Sequence, residues 1–131
     1  MRTAELSIFI VEDDLLFRET FIDVMSLRGI SVAGAGSAAE AMRTLSAGLV
    51  VPSVIILDVK LPDVHGFELC RRIKRQEAFK KTPVIFVSAS ARYNDPRDRV
   101  EGFLAGAALF LSKPITMERL WAEIEGVLKN R

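Results

Sequence analysis

Several side chains in this 131-residue sequence have the types and settings to do chemistry together. Glu12, Asp13 and Asp14 crowd like charges between the apolar runs "IFIV" and "LLF". Asp58 closes the run "VIIL", Ser88 closes "VIFV", and Lys113 follows "LFLS". Carboxylates gathered within a few ångströms repel, so some must stay protonated or a cation must join them. The chain has one His and one Cys, and all-oxygen ligation favours a hard ion such as Mg²⁺ over zinc. An ammonium and a hydroxyl beside such a cluster would complete a place for a phosphoryl group, whose spread negative charge needs fixed positive partners.

These groups meet only if the elements that carry them converge. Apolar runs of strand length recur at residues 6–11, 30–33, 54–57, 84–87 and 108–111. Such continuous runs suit strands covered on both faces. Between them lie helically spaced apolar residues: Leu16, Phe17, Phe21, Val24 and Met25; Ala38, Ala41, Met42, Leu45 and Leu49; Phe67, Cys70 and Ile73; Val100, Phe103 and Leu104; Leu120, Trp121, Ile124 and Leu128. Start signals agree. Ser37 and Glu40 form a capping box, Asp95 precedes Pro96 at a first helical turn, and Thr116 precedes the last helix. Strands alternating with helices predict parallel pairing, right-handed crossovers and a three-layer α/β/α sandwich. The doubly wound order 2-1-3-4-5 makes strands 1 and 3 neighbours where the winding reverses, and ligands in such sheets bind at the carboxyl ends of the strands near that point. That edge is where the sequence puts Glu12, Asp13, Asp58, Ser88 and Lys113.

The length fits one domain, 1–131. A net charge of +1 gives no bulk field toward nucleic acid or membrane. The lone Cys70 leaves no intrachain disulfide and fits a reducing compartment. No run approaches the roughly 20 apolar residues of a membrane span, and the acidic cluster interrupts the first apolar stretch before it reaches signal-peptide length. A cytoplasmic, monomeric domain is expected. Asp14 reads as a helix N-cap rather than a ligand. His65, with no second histidine, does not read as a metal ligand, and Cys70 shares a stripe with Phe67 and Ile73 and should pack as a small apolar group. The basic string "RRIKRQEAFKK" should solvate the outer face of the third helix; it lacks the interleaved aromatics of a single-strand binder.

Read in order, "IFIVEDD", "VIILDVKLPDVHGFELCRRIK", "PVIFVSA" and "GAALFLSKPI" resemble the first strand and acidic pair, phosphoacceptor segment, fourth strand and Lys-Pro strand of the receiver domain of two-component response regulators. This is the CheY-like superfamily, of flavodoxin-like fold, and the resemblance covers essentially the whole chain. It implies that Asp58 accepts a phosphoryl group from the phosphohistidine of a histidine kinase or histidine phosphotransfer protein. It also implies that Glu12, Asp13, Asp58 and the backbone carbonyl of Lys60 hold Mg²⁺. Lys113 and Ser88 would engage the phosphoryl oxygens, Ser88 and Phe110 would form the switch, and the bond before Pro114 would be cis. A downstream target would meet the face of helix 4, strand 5 and helix 5, and the monomer could pair on phosphorylation. Departures lie at Phe110, where tyrosine is common, at His65, where an acidic or amide residue is frequent, and at Ser88, where threonine is commoner. Other readings remain open. A haloacid-dehalogenase-type phosphatase wants a second acid two residues after the nucleophile, and Lys60 stands there. A flavodoxin-like cofactor carrier needs a phosphate-accepting first loop, which Glu12, Asp13 and Asp14 would oppose. The chain could also be the receiver fragment of a larger hybrid kinase or transcription factor.

Overall fold

In a computed structural model, which describes residues 5–48, 51–89 and 96–130, strands and helices alternate along the chain. They are β1 (Ser7–Val11), α1 (Leu15–Leu27), β2 (Ser31–Ala35), α2 (Ala38–Ser46), β3 (Val54–Leu57), α3 (Gly66–Lys74), β4 (Val84–Ser88), α4 (Pro96–Leu104), β5 (Leu109–Ser112) and α5 (Met117–Lys129). The strands form one parallel sheet in the order β2-β1-β3-β4-β5, as the sequence predicts. Successive side chains of a strand point to opposite faces. Hence Phe9, Val11, Ile55, Leu57 and Phe86 pack with Ala41 and Leu45 of α2 and Phe67, Cys70 and Ile73 of α3. Ile8, Ile10, Ile56, Ile85 and Val87 pack with Phe21 and Met25 of α1 and Leu120, Trp121 and Ile124 of α5. The central strands β1, β3 and β4 are thus covered on both faces, which is why they read as unbroken apolar runs, while the edge strand β2 keeps Ser31 and Ala33 exposed.

The caps fall close to their sequence signals. Asp14 accepts from the Phe17 amide at 3.2 Å, Ser37 from Glu40 at 3.2 Å, and Thr116 from Arg119 at 3.0 Å. Glu40 reaches back to the Gly36 amide at 3.3 Å, one residue before the expected partner of a capping box. The predicted positions Leu49 and Asp95 lie outside the described residues.

Three expectations shift. β2 covers 31–35 rather than 30–33, because Gly34 and Ala35 pair with Ile10 and Val11, and that tertiary pairing overrides their weak strand preference. On α4 the residues Val100, Phe103 and Leu104 are exposed, and the buried residue is Gly102, which carries no weight in an apolar periodicity. Leu16 is likewise exposed. The basic string is not one helix face: α3 ends at Lys74, a 3-10 turn at Glu77–Phe79 buries Phe79, and Lys74 Nζ donates to the carbonyls of Lys80 and Thr82 at 3.2 and 2.5 Å. Cys70 packs as expected. Its thiol donates to the Ala105 carbonyl at 3.3 Å, and burial pushes it up to about 11. No described helix is long and apolar enough to cross a membrane.

Two glycines set opposite tests. A Cβ on Gly66 would lie 2.4 Å from the Asp58 carbonyl oxygen and 2.8 Å from Val59 Cα, backbone atoms that cannot swing aside. Gly66→Ala should therefore destabilise the domain by about 2–3 kcal/mol. Gly126, inside α5, would meet nothing within 4 Å, so Gly126→Ala should stabilise it by about 0.5–1 kcal/mol. Urea unfolding of both variants checks the pair, and the same sign for both would contradict the packing described.

Candidate functional site

The acidic residues are held where backbone pairing runs one step past the strands. Glu12 N–H donates to the Ala35 carbonyl at 2.9 Å, and Asp58 N–H to Val11 at 2.9 Å. Glu12, Asp13 and Asp58 consequently meet at the carboxyl edge of the sheet, each offering a carboxylate oxygen within 4.8 Å of the others. Glu12 and Asp58 are buried and Asp13 is exposed. An all-oxygen set with this much converging negative charge fits a hard divalent cation. Asp14 stands apart as the cap of α1, and its amide donates to Glu12 Oε2 at 3.1 Å.

Lys113 closes the cluster from β5. Its Nζ lies 2.5 Å from Glu12 Oε1 and 4.2 Å from the Phe17 ring centroid, and its backbone N–H donates to the Ser88 carbonyl at 2.8 Å. The Lys113–Pro114 bond is cis. Ser88 is buried at the end of β4, in register with Ser112. Lys60 follows Asp58 closely, and its amide lies 3.4 Å from Asp58 Oδ1. Burial first, then a hydrogen bond and the charge of Glu12, raise the Asp58 carboxyl from 3.8 to about 8, against the opposing Lys113 charge and Lys60 amide.

Phe110 lies inward and buried, with ring centroids 5.8 Å from Phe86 and 6.3 Å from Phe67. Gly102 makes room for it, since a Cβ there would sit 3.1 Å from Phe110 Cδ2. Arg99 of α4 covers the ring at 5.1 Å and donates to the Phe110 carbonyl and to Ser112 Oγ, each at 3.1 Å. Sequence reasoning missed these two residues, and it missed Asp63 and the capping role of His65. Asp63, in the loop after β3, caps α2 by accepting from the Ala38 and Ala39 amides at 2.9 Å each, contacts that hold its carboxyl below the ordinary value. His65 accepts from Phe67 N–H at 3.1 Å as the N-cap of α3 and bridges Lys60. An acid before a helix is a readable cap signal; an acid capping a helix more than twenty residues away is not.

The Asp58 shift has a sign that can be checked in metal-free protein. Unfolded chains release this proton near 3.8, while the folded domain keeps it to about 8. Asp58's contribution to stability is therefore full below the lower value and is lost as pH rises through the upper one, with a slope of at most about 1.4 kcal/mol per pH unit. Asp58→Asn cannot titrate, so it should gain stability relative to the wild type between the two values, read as urea midpoints across pH. Parallel pH profiles for the two proteins would contradict the assignment.

The chain as a whole has counterparts among known proteins. Residues 8–125 match the family described as response regulator receiver domain. The chain is 36% identical over 124 residues to the transcriptional regulatory protein GltR of Pseudomonas aeruginosa, covering 95% of this chain and 49% of GltR. It is 35% identical to the transcriptional regulatory protein AfsQ1 of Streptomyces coelicolor, covering 95% of this chain and 52% of AfsQ1. It thus spans about half the length of the curated relatives it matches. The chemotaxis response regulator CheY4 of Vibrio cholerae superposes with a TM-score of 0.83 at 27% identity, covering 93% of this chain and 98% of that one. These likenesses displace the phosphatase and cofactor-carrier readings. The chain belongs to the response regulator receiver domain family of two-component signalling and has its CheY-like fold.

Proposed function

We propose that this domain takes a phosphoryl group onto Asp58 from the phosphohistidine of a histidine kinase or histidine phosphotransfer protein, in a Mg²⁺-dependent reaction, and relays the change to the face of α4, β5 and α5. The observation that carries this reading is the meeting of the Glu12, Asp13 and Asp58 carboxylates at the sheet edge beside the Lys113 amine. Those carboxylates and the backbone carbonyl of Lys60 would hold the ion. Bound there, Mg²⁺ supplies the positive charge that lets Asp58 ionise among its neighbours and that screens an incoming phosphoryl group. An Asp58 oxygen then bonds to phosphorus while the P–N bond to the partner's imidazole breaks, its electron pair staying on nitrogen, and an acyl phosphate results.

Lys113 leaves Glu12 to pair with the phosphoryl oxygens, and Ser88 moves toward them. Phe110 is the switch ring; lacking a hydroxyl, it works through packing alone. Moving a two-state equilibrium from 1:99 to 99:1 takes about 5.5 kcal/mol of differential interaction. A few kcal/mol at Lys113 and Ser88 would redistribute the populations of α4, which Arg99 ties to β5. The domain is in this reading a phosphoacceptor rather than a free-standing enzyme. It acts in the cytoplasm, without direct nucleic-acid or membrane contact, and is monomeric at rest with pairing as one route of output. The curated relatives are named transcriptional regulators and are about twice as long, which favours a receiver serving a transcription factor over one serving a hybrid kinase.

Acetyl phosphate or beryllofluoride with Mg²⁺ should modify the wild type and leave Asp58→Asn unmodified, as read by intact mass and by amide shifts. Modification of the variant at the wild-type rate would sink the assignment. Asp13→Ala should abolish most Mg²⁺-induced NMR shifts, and undiminished binding would remove Asp13 from the ligand set.

A further inference from the structure

Arg18, at the close of the first turn of α1, has a use that no helix periodicity explains. Its Nη1 donates to the backbone carbonyl of Glu12. Its side chain crosses one glycine in β2 and one just past the strand: a Cβ on Gly34 would lie 3.1 Å from Arg18 Cδ, and one on Gly36 would lie 3.0 Å from Nη1. Neither glycine has a positive φ, so neither is there for backbone freedom. Glycine weakens a strand and often marks a close approach; at Gly36 the group that approaches is the Arg18 guanidinium alone, and at Gly34 it is the Arg18 stem together with Ile22 Cδ1 at 3.2 Å.

The contact acts on the acidic pair through peptide geometry. The Glu12 carbonyl and the Asp13 N–H share one rigid plane. The Glu12 N–H is already fixed by the Ala35 carbonyl at 2.9 Å, and the Glu12 carboxylate by the Asp14 amide and Lys113. The plane leading into Asp13 is held by the Arg18 guanidinium. Asp13 is also the exposed member of the cluster, with the least packing of its own to fix where its carboxylate points.

We propose that Arg18 is a positioning residue for the acidic site: it sets the Glu12–Asp13 peptide plane so that Asp13 faces Asp58, and Gly34 and Gly36 form the slot that admits it. This rests on the reading of Glu12, Asp13 and Asp58 as a divalent-cation site. It adds a requirement that lies outside the ligands, of the kind whose loss commonly weakens metal affinity by about 10–100-fold.

The test is an NMR titration of the folded domain with Mg²⁺, together with thermal unfolding, for the wild type, Arg18→Met, Arg18→Lys and Gly36→Val. Arg18→Met keeps the stem and removes the donor, and it should bind Mg²⁺ about 10-fold more weakly. Arg18→Lys should recover affinity to within about threefold of the wild type. Gly36→Val fills the slot with Arg18 intact, so it should imitate Arg18→Met and carry the test if that variant does not fold. In metal-free protein the Asp13 amide should shift in Arg18→Met and Gly36→Val while the amides of α5 do not. A folded Arg18→Met or Gly36→Val with wild-type Mg²⁺ affinity and an unmoved Asp13 amide would overturn the proposal. A merely structural Arg18 would lower the melting temperature in both Arg18 variants without separating their affinities, which would also overturn it. Absence of Mg²⁺ binding by the wild type would refute the cation site itself; the metal-free Asp13 shift would then decide Arg18's hold on the turn.

Discussion

One ammonium–carboxylate contact determines the resting state of the site. Lys113 Nζ lies 2.5 Å from Glu12 Oε1, across 101 residues of sequence, with both side chains largely shielded from water. Removing one partner of such a pair leaves a buried charge without compensation, a loss of about 3–5 kcal/mol in typical cases. The contact also divides the charges of the site unevenly. Glu12 has the amine, while Asp58 has burial and a negative neighbour, which is why Asp58 holds its proton to about 8. The carboxylate that would be the nucleophile of the proposed reaction thus resists ionising, and the amine that would steady the transferred group is engaged elsewhere. In the proposed reaction both conditions would change together once positive charge entered the cluster.

The loop after β3 makes this arrangement reproducible. Asp63 holds it to the first turn of α2, His65 bridges it back to Lys60, and Gly66 brings α3 against the Asp58 carbonyl. A site whose ligands come from separate strands needs such supports, because a loosely held residue near Asp58 would blur the geometry that the rigid sheet provides. Gly66, Gly102, Gly34 and Gly36 have one thing in common: each leaves to a neighbouring group the space that a Cβ would fill.

The strands and the convergence of Glu12, Asp13 and Asp58 were legible because buried parallel strands leave unbroken apolar runs and because charges at their ends have no packing reason to be there. The face of α4 was not, and on α1, where Phe17, Phe21, Val24 and Met25 do pack inward, Leu16 was the exception. Val100, Phe103 and Leu104 have the spacing of a buried stripe, yet the helix turns Gly102 to the core, and Leu16 faces water near the acidic turn. A hydrophobic pattern cannot register a position whose value lies in having no side chain. Contacts made across the fold were equally silent in the sequence: Asp63 on α2, Lys113 on Glu12 rather than only beside Asp58, and Arg99 over Phe110.

Cys70 has a consequence of another kind. Its sulfur is fully buried between α3 and the end of α4, donating to Ala105, with its acidity suppressed to about 11. Burial disfavours the thiolate, the form that oxidants and alkylating reagents attack. Peroxide or a maleimide therefore reaches this sulfur only when α3 and α4 part. The side chain that looks most reactive on paper is chemically quiet, and the pace at which a reagent labels it measures how often the packing opens.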